Sequence, residues 1–483
     1  MNTTEIKTIP IAAVPNVPAG EVDDEIGLYE IRRKIYPRSV TGKFANWRVA
    51  LVIATQVVFY GLPWLYWNDR QAVLFDLAAR KFYIFGLVFW PQDVIYLTVL
   101  LILSALSLFL FTAVAGRLWC GYACPQTVYT EIFLWIERKI EGERQARMRL
   151  DATPASLEKF VKKALKHTAW IALAFWTGYT FVGYFTPIRD LGVRTILWDL
   201  GGWEAFWIVF YAAATYGNAG WMREQVCKYM CPYARFQSVM FDKDTLVIAY
   251  DGERGDPRGA RSRKIDAKAA GLGDCIDCSI CVQVCPTGID IRKGLQYECI
   301  GCAACIDGCD QVMDKMGYPR GLIRYASENA LRQHATGSAM WRRIFRPRTL
   351  LYTAILLAVA TAAGVSLYLR NPLKMDVIRD RGALSREARP GVIENVYRIQ
   401  IMNTDEKARS FRLSAEGLPG LTVADLPATI DVDAAATRLL PLRLQVPADA
   451  AAPGPHRIDV VIEAVDDARI ARREKSTFIL PNP

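Results

Sequence analysis

Long apolar stretches separated by charged segments dominate the chain up to residue 369. Crossing the hydrocarbon core of a membrane, which is about 30 Å thick, takes about 20 mostly apolar residues. Five stretches are long enough, and several end in tryptophan or tyrosine, which are common at membrane interfaces. The pattern predicts five transmembrane helices, at about Trp47–Trp67, Val94–Ala115, Thr168–Phe185, Trp203–Trp221 and Leu350–Leu369.

Two shorter regions near the N-terminus call for separate predictions. The apolar run Phe82–Trp90 is too short to span, so we interpret it as an interfacial or re-entrant segment. Residues 1–46 are polar and end in a basic group, and no apolar signal-peptide core precedes the first span. We therefore expect a cytoplasmic tail, disordered over 1–26, and a first span that acts as an uncleaved anchor.

The pattern changes to short alternating runs beyond residue 370. Turn sequences such as Leu418-Pro419-Gly420 and Pro453-Gly454-Pro455 separate the runs, as in antiparallel sheets. We predict an immunoglobulin-like β-sandwich over 371–483. Its expected strands include Val396–Met402, Phe411–Leu413, Leu440–Val446, Ile458–Ile462 and Phe478–Leu480.

The formal charge of +10 is unevenly distributed. The C-terminal region carries as many acidic as basic residues, so the excess lies on the segments next to the predicted spans. Positive loops stay on the cytoplasmic side of a membrane. We therefore expect a multi-pass protein of the bacterial inner membrane, with the N-terminus and the 232–348 segment cytoplasmic and the C-terminal domain periplasmic. Contact of these basic segments with anionic lipid headgroups explains the positive charge, so no nucleic-acid partner is required.

Eight of the twelve cysteines form a doubled run. Cys275, Cys278, Cys281 and Cys285 are followed by Cys299, Cys302, Cys305 and Cys309 at the same spacing. This is the bacterial ferredoxin pattern for two 4Fe–4S clusters, in which the last cysteine of each run ligates the other cluster. The predicted ligand sets are Cys275, Cys278, Cys281 and Cys309 for one cluster, and Cys299, Cys302, Cys305 and Cys285 for the other. Zinc sites and disulfides fit this spacing and compartment poorly.

The other four cysteines form two Cys-x3-Cys-Pro motifs. Cys120 and Cys124 follow the second span, and Cys227 and Cys231 follow the fourth, so the motifs resemble an internal repeat. If the backbone is helical there, each pair presents its sulfurs on one side, and the proline ends the helix. The alternatives are buried structural cysteines, or a redox or soft-metal site for Cu(I), zinc or iron–sulfur. One joint site and two separate sites both remain open.

These features predict a multi-domain membrane protein with five segments. They are a basic tail (1–46), a four-helix membrane domain with both Cys-x3-Cys-Pro motifs (47–231), a cytoplasmic α+β ferredoxin-like domain with two clusters (232–348), a fifth transmembrane helix (349–370) and the β-sandwich (371–483). Only three histidines occur, which disfavours a bis-histidine haem. No Gly-x-Gly-x-x-Gly follows a strand, so the cytoplasmic electron donor stays unidentified.

Several motifs together resemble the CcoG/FixG (RdxA) family of membrane iron–sulfur proteins. They are the segments Trp119–Thr127, Cys227–Gln237, Tyr250–Gly259 and the cysteine run through Cys309-Asp310. The resemblance implies a cupric reductase that converts Cu(II) to Cu(I) for assembly of a cbb-type haem–copper cytochrome oxidase. It also implies copper-delivery and oxidase assembly proteins as partners, with Cys120, Cys124, Cys227 and Cys231 as the candidate catalytic copper site. The alternatives are a quinol-oxidising electron-transfer subunit and a copper-binding scaffold without turnover.

Overall fold

The computed structural model describes residues 34–267, 269–333, 345–380, 382 and 385–481. The predicted disorder of residues 1–26 lies outside these ranges. Three described helical segments are long and apolar enough to cross a membrane: Lys43–Trp64, Pro91–Ala115 and Pro347–Tyr368. They confirm the first, second and fifth apolar helices.

The described α-helices are α1 (Lys43–Gly61), α2 (Val94–Ala115), α3 (Leu118–Tyr122), α4 (Pro125–Glu141), α5 (Arg144–Ala152), α6 (Leu157–Val182), α7 (Ile188–Ile196), α8 (Gly202–Thr215), α9 (Pro232–Met240), α10 (Gly252–Gly255), α11 (Ile280–Gln283), α12 (Ala304–Met316), α13 (Glu328–Arg332) and α14 (Pro347–Tyr368).

The third and fourth predicted spans fall on a closely packed helix pair. Thr168–Phe185 overlaps α6, whose first turns carry charged side chains. Trp203–Trp221 corresponds to α8, which continues as a π-helix over Tyr216–Met222. A Cβ at Gly178 of α6 would lie 2.9 Å from the backbone nitrogen of Ala212, so glycine permits the close approach of the two helices. That these two helices span the membrane stays a prediction.

The segment Phe82–Trp90, which we interpret as interfacial or re-entrant, forms β-strands, and its position relative to a membrane stays a prediction. Its residues form β4 (Lys81–Ile84) and β5 (Leu87–Phe89), which pair with β3 (Val73–Asp76) in a three-stranded antiparallel sheet. A two-stranded ribbon, β1 (Tyr66–Trp67) with β2 (Arg70–Gln71), precedes it. Val88 and Trp90 are buried against Met402 of the C-terminal domain.

The ferredoxin-like region combines short helices with one strand pair. β6 (Val247–Tyr250) pairs antiparallel with β7 (Ile323–Ala326), and the cysteine-rich loops with α11 and α12 lie between them in sequence. Ile248, Ile291, Ile306, Met313, Leu322 and Ile323 form its buried core together with several of the cysteines. This region is α+β, as predicted.

The C-terminal region is a two-sheet sandwich, which confirms the predicted domain. One sheet has the order β12 (Thr422–Ala424), β14 (Thr437–Pro447), β10 (Val392–Asn403), β8 (Leu373–Arg379), with β9 (Arg386–Arg389) on β10. The other has the order β13 (Ile430–Val432), β11 (Arg409–Glu416), β15 (Gly454–Ala464), β16 (Ala471–Leu480). Each predicted strand lies within an observed one. Alternating side chains such as Ile399, Leu444, Ile462 and Phe478 fill the space between the sheets.

The ferredoxin-like region and the sandwich lie at opposite ends of the apolar helices. Helix α14 begins where Arg346 and Arg348 pair with Asp242, next to the ferredoxin-like region. It ends where Arg370 pairs with Asp93 at 2.7 Å, beside the sandwich. Lys374 of β8 also pairs with Asp93, whose side chain is buried.

We expect Asp93→Asn to loosen the sandwich from the membrane region. The change removes the carboxylate charge shared by Arg370 and Lys374, and loss of one partner from a buried ion pair costs about 3 kcal/mol. Limited proteolysis at rising temperature should release the C-terminal domain at a lower temperature than in the unchanged protein. Asp467→Asn is the control, because Asp467 pairs with the exposed Arg469. Equal release temperatures for both variants would contradict the expectation.

Candidate iron–sulfur and thiol centres

The eight cysteines of the doubled run line two neighbouring cavities. Cys275, Cys278, Cys281 and Cys309 line the first cavity. The second cavity is lined by Cys285, Cys299, Cys302 and Cys305, and also by Cys281. Each predicted set of four thiols therefore surrounds one cavity, with Cys285 and Cys309 in the crossed positions.

The two halves of the run have the same local backbone. In the first half, Ser279 directly follows the second cysteine and has φ 55°. In the second half, Ala303 takes the same position and has φ 58°. Each left-handed residue stands directly before a helix, α11 or α12, that carries the third cysteine. The turn reverses the chain so that three thiols of each half point to one cavity.

The donor set fits iron–sulfur clusters. Four thiols line an otherwise mostly apolar cavity in each case, and thiolates are the usual ligands of 4Fe–4S clusters. Among the described residues, no three His, Cys, Asp or Glu side chains approach closely enough to hold a single metal ion. A cluster of several iron and sulfur atoms requires a wider spacing of its ligands than a single ion does, which agrees with thiols that surround a cavity.

Burial favours the neutral form of several of these thiols by raising their pKa values. It raises the pKa of Cys281 to about 11 and the pKa values of Cys299 and Cys309 to about 12. The negative charge of neighbouring thiolates raises each of them further. Cluster binding must therefore displace protons from buried sulfur, and the metal supplies the positive charge that compensates the thiolates.

The Tyr250–Gly259 segment, singled out above only by resemblance, is a strap around the first cavity. The backbone N–H of Cys275 donates to the carbonyl of Gly255, and the carbonyl of Cys275 accepts the backbone N–H of Gly259, each at 3.3 Å. Arg261 also donates to the Cys275 carbonyl at 3.3 Å. A side chain on Gly255 would run into the ring of Tyr250, so the strap needs glycine there. The sequence signal was this glycine-rich motif, but its contact with Cys275 was not foreseen.

The two Cys-x3-Cys-Pro motifs have a shared geometry. Cys120 lies in α3 and Cys227 in a π-helical turn over Val226–Met230. The second cysteine of each pair is extended, and the proline after it begins α4 or α9. The N–H of Cys124 donates to the carbonyl of Trp119 at 3.0 Å, and that of Cys231 to Val226 at 2.8 Å. Both motifs thus close with a bond to the fifth residue back, the wider turn that often marks functional sites.

The structure brings the two pairs near one another. Burial raises the pKa of Cys120 to about 12, with further contributions from Cys124 and Cys227. It raises the pKa of Cys227 to about 11, with contributions from Cys124 and Cys231. The thiol of Cys120 also lies 3.5 Å from the Oε1 atom of Gln237, a residue that sequence reasoning missed. The thiols of the two motifs therefore lie near one another, and we call these four cysteines the thiol group.

This thiol group packs directly against the second cavity. Cys120 and Cys227 contact the buried cluster formed by Val284, Ile300, Cys302 and Ala304. A Cβ at Gly121 would lie 2.7 Å from the carbonyl oxygen of Gly301 and 2.9 Å from the Cα of Cys302. The second cavity therefore adjoins the membrane-side thiols, whereas the first lies farther away and carries the exposed Cys278.

Asp307 attaches the cluster region to the first apolar helix. Its carboxylate accepts the backbone N–H of Phe44 at 3.2 Å and that of Ala45 at 2.7 Å, at the start of α1. A negative charge at a helix N-terminus satisfies free N–H groups and the helix dipole. Because Asp307 lies in α12 between Cys305 and Cys309, the same helix holds cluster ligands and the membrane helix.

We expect Cys285→Ala to remove the cluster of the second cavity only, because the first cavity keeps its four thiols. Iron content should fall from about eight to about four atoms per chain. Cys309→Ala is the matched variant and should remove the other cluster. Electron paramagnetic resonance of the reduced proteins checks this: the two variants should retain different signals, and loss of the same signal in both would refute the crossed ligand sets.

We expect Gly121→Ala to weaken the contact between the thiol group and the second cavity. The added methyl group meets backbone atoms, which cannot rotate away, and overpacking of this kind costs about 1–3 kcal/mol. Thermal bleaching of the cluster absorbance should begin at a lower temperature. In the control Gly61→Ala, nothing lies within 4 Å of the added methyl group, and bleaching should be unchanged. Identical bleaching of the two variants would speak against this contact.

Comparison with known families agrees with these centres. A family described as a 4Fe-4S dicluster domain matches residues 222–328, and one described as a 4Fe-4S binding domain matches 97–142. The family described as the IG-like fold at the C-terminus of FixG matches residues 363–481. The matches thus cover both cysteine groups and the sandwich.

Relatives extend over most of the chain. The nitrogen fixation protein FixG of Rhizobium meliloti is 40% identical over 82% of this chain and 82% of its own length. Protein RdxA of Cereibacter sphaeroides is 40% identical over 92% of this chain and 94% of its own length. Protein RdxB of the same organism is 41% identical over 83% of this chain and 86% of its own length. Together with the two cluster cavities, these relatives show that the chain belongs to the FixG/RdxA family of 4Fe–4S electron-transfer membrane proteins.

Proposed function

We propose that this protein is a cupric reductase that converts Cu(II) to Cu(I) for assembly of a cbb-type haem–copper cytochrome oxidase. The observation that carries the proposal is the direct packing of Cys120 and Cys227, one thiol from each Cys-x3-Cys-Pro motif, on the second cluster cavity. When bound, the two clusters supply one-electron storage, and reduction of Cu(II) takes one electron. The remaining steps depend on this chain's own side chains.

Cys120, Cys124, Cys227 and Cys231 are the residues proposed to hold copper. Soft thiolates favour Cu(I) over harder ions, so they retain the product of the reduction. Burial raises the pKa values of the Cys120 and Cys227 thiols, so copper binding at these two residues releases protons. Release of Cu(I) then requires a partner with competing soft ligands, which fits the proposed copper-delivery and oxidase assembly proteins.

Electrons are proposed to enter at the far side of the ferredoxin-like region. Cys278 is an exposed member of the first thiol set, so a cytoplasmic electron donor can approach closely there. The second cavity then lies between this entrance and the copper thiols. The proposed arrangement has five membrane spans in a bacterial inner membrane, with the ferredoxin-like region in the cytoplasm and the sandwich in the periplasm. This places copper reduction at the cytoplasmic face.

We expect the double variant Cys120→Ser/Cys231→Ser to abolish copper reduction and to keep the cluster absorbance. The protein is reduced chemically, Cu(II) is added without oxygen, and Cu(I) is measured with a chromogenic chelator. Unchanged Cu(I) formation in the double variant would remove these cysteines from the site. If the unaltered protein binds copper but leaves its oxidation state unchanged, the protein is a scaffold and not a reductase.

The same assay distinguishes one copper site from two. In a joint site, loss of either pair, Cys120 with Cys124 or Cys227 with Cys231, should abolish copper binding. In two separate sites, each paired variant should keep about half of the bound copper. Cys120 and Cys227 contact the same buried residues, which favours the joint site. Because no three described thiols are close enough to hold one ion, a joint site of three or four ligands requires the thiols to move together when copper binds.

A further inference from the structure

Two arginines next to the second cavity form no ion pair with a carboxylate among the residues that the structure describes. Arg48 of α1 donates to the carbonyl of Cys302 at 3.2 Å, and its buried Nε atom has no hydrogen-bond acceptor. Arg117, directly before α3, is buried and donates to the carbonyl of Ala234, and its Nε atom also lacks an acceptor. An unpaired charge that is taken out of water is costly. Both guanidinium groups therefore call for a negatively charged neighbour.

Both arginines lie beside cysteines of the second cavity. Arg117 and Cys299 line the same small pocket, and a Cβ at Gly301 would lie 3.0 Å from the carbonyl oxygen of Arg117. Burial raises the pKa of the Cys302 thiol, and the positive charge of Arg48 opposes that shift. Burial likewise raises the pKa of Cys299 to about 12, and there the backbone of Gly301 and the charge of Arg117 oppose it. The two cations thus stabilise negative charge on two of the four thiols.

One carboxylate works against these cations. Burial is the largest cause of the raised pKa of Cys302, and the charge of Glu131 adds to it. The side chain of Glu131 is 28% exposed, however, and lies 3.5 Å from that of Arg138. Water and salt screen a partly exposed charge much more than a buried one. The balance of charge at the second cavity is therefore positive.

The first cavity lacks this excess of positive charge. Arg292 lines it but pairs with Asp290 at 2.7 Å and also with Asp277. Arg261 adds a second cation near this cavity, and Asp310, the residue after the last cysteine, adds a third carboxylate. The cations at the first cavity are thus matched by carboxylates, in contrast to those at the second.

We propose that Arg48 and Arg117 set the reduction potential of the cluster in the second cavity above that of the cluster in the first. A 4Fe–4S cluster with four thiolate ligands is negatively charged, and reduction adds a further negative charge. Positive charge nearby therefore favours the reduced form, and net charge is one of the factors that set the potential of these clusters. One electron then passes from the first cluster, which is oxidised, to the second, which is reduced, and no proton is transferred.

Burial alone would give the opposite order. The first thiol set includes the exposed Cys278, and water near a cluster stabilises the added negative charge. Cys302 of the second set is buried, so reduction there would be less favourable without compensating charge. The two unpaired arginines supply that compensation. They keep the electron at the cavity that contacts Cys120 and Cys227, and they oppose its return to the cytoplasmic entrance.

This inference relies on the proposed function only for the final acceptor of the electron. The order of the two potentials is a property of the cluster-loaded protein and can be measured without copper.

The test is a potentiometric titration of the full-length, cluster-loaded protein in detergent without oxygen, followed by electron paramagnetic resonance. The variants Cys285→Ala and Cys309→Ala identify the signal of each cluster. We expect the second cluster of the unaltered protein to be reduced at the higher potential. In Arg48→Gln, the ratio of reduced to oxidised second cluster at a fixed potential should fall at least about tenfold, which is a shift of about 59 mV for one electron. The potential of the first cluster should stay unchanged.

Three further variants separate the effect of charge from that of structure. Arg48→Lys keeps the positive charge and should retain most of the potential. Arg117→Gln should lower the potential of the second cluster as Arg48→Gln does, and it provides the test if Arg48→Gln loses its clusters. Arg320→Gln is the control, because Arg320 is 67% exposed and pairs with Asp314, and both potentials should be unchanged. Iron content of about eight atoms per chain shows that a variant carries both clusters.

The outcomes separate this inference from the proposed function. A higher potential for the first cluster of the unaltered protein would overturn the inference. Equal potentials in Arg48→Gln and Arg320→Gln would also overturn it, as would equal shifts in Arg48→Gln and Arg48→Lys. If the potentials are ordered and shift as expected, but no Cu(I) forms, the role of the arginines stands and the cupric reductase proposal fails.

Discussion

The close contact of Gly121 with Gly301 and Cys302 is the constraint on which the rest of the molecule depends. Electron transfer weakens steeply with distance, so the copper thiols that we propose must lie beside the cluster that supplies their electrons. Only a residue without a side chain lets the backbones of the membrane region and the cluster region meet there. The Asp307 cap on α1 and the Arg48 bond to Cys302 then hold the two regions in this position.

The same contact explains why the two Cys-x3-Cys-Pro motifs are built as wide turns. A regular α-helix would continue through Cys124 and Cys231 and carry the chain away from the second cavity. The bond to the fifth residue back ends each turn instead, and the following proline starts a new helix in another direction. Each motif is therefore a corner that places its first cysteine, Cys120 or Cys227, against the cluster region.

Sequence patterns predicted the parts of this fold that local chemistry decides. Val94–Ala115 is α2 residue for residue, and the alternating runs of the C-terminal region lie within its strands. The crossed grouping of Cys285 and Cys309 also followed from spacing, because the ferredoxin turn is local. The burial of Val88 and Trp90 could not be predicted from the sequence pattern, because the residue that covers them, Met402, lies more than 300 positions away. Asp307 and Gln237 were missed for the same reason: their partners Phe44 and Cys120 are remote in sequence.

The burial of Met402 under Val88 and Trp90 has a consequence for dividing the protein into fragments. Glu406, in the loop after β10, accepts from Trp67 at 2.9 Å and Asn68 at 2.8 Å and pairs with Arg70. A soluble fragment that starts at residue 371 would expose Met402 to water and leave Glu406 without these partners. The sandwich and the small sheet after α1 thus bury one shared contact surface. Each of them, separated from the other, would expose apolar and charged side chains that are paired in the whole protein.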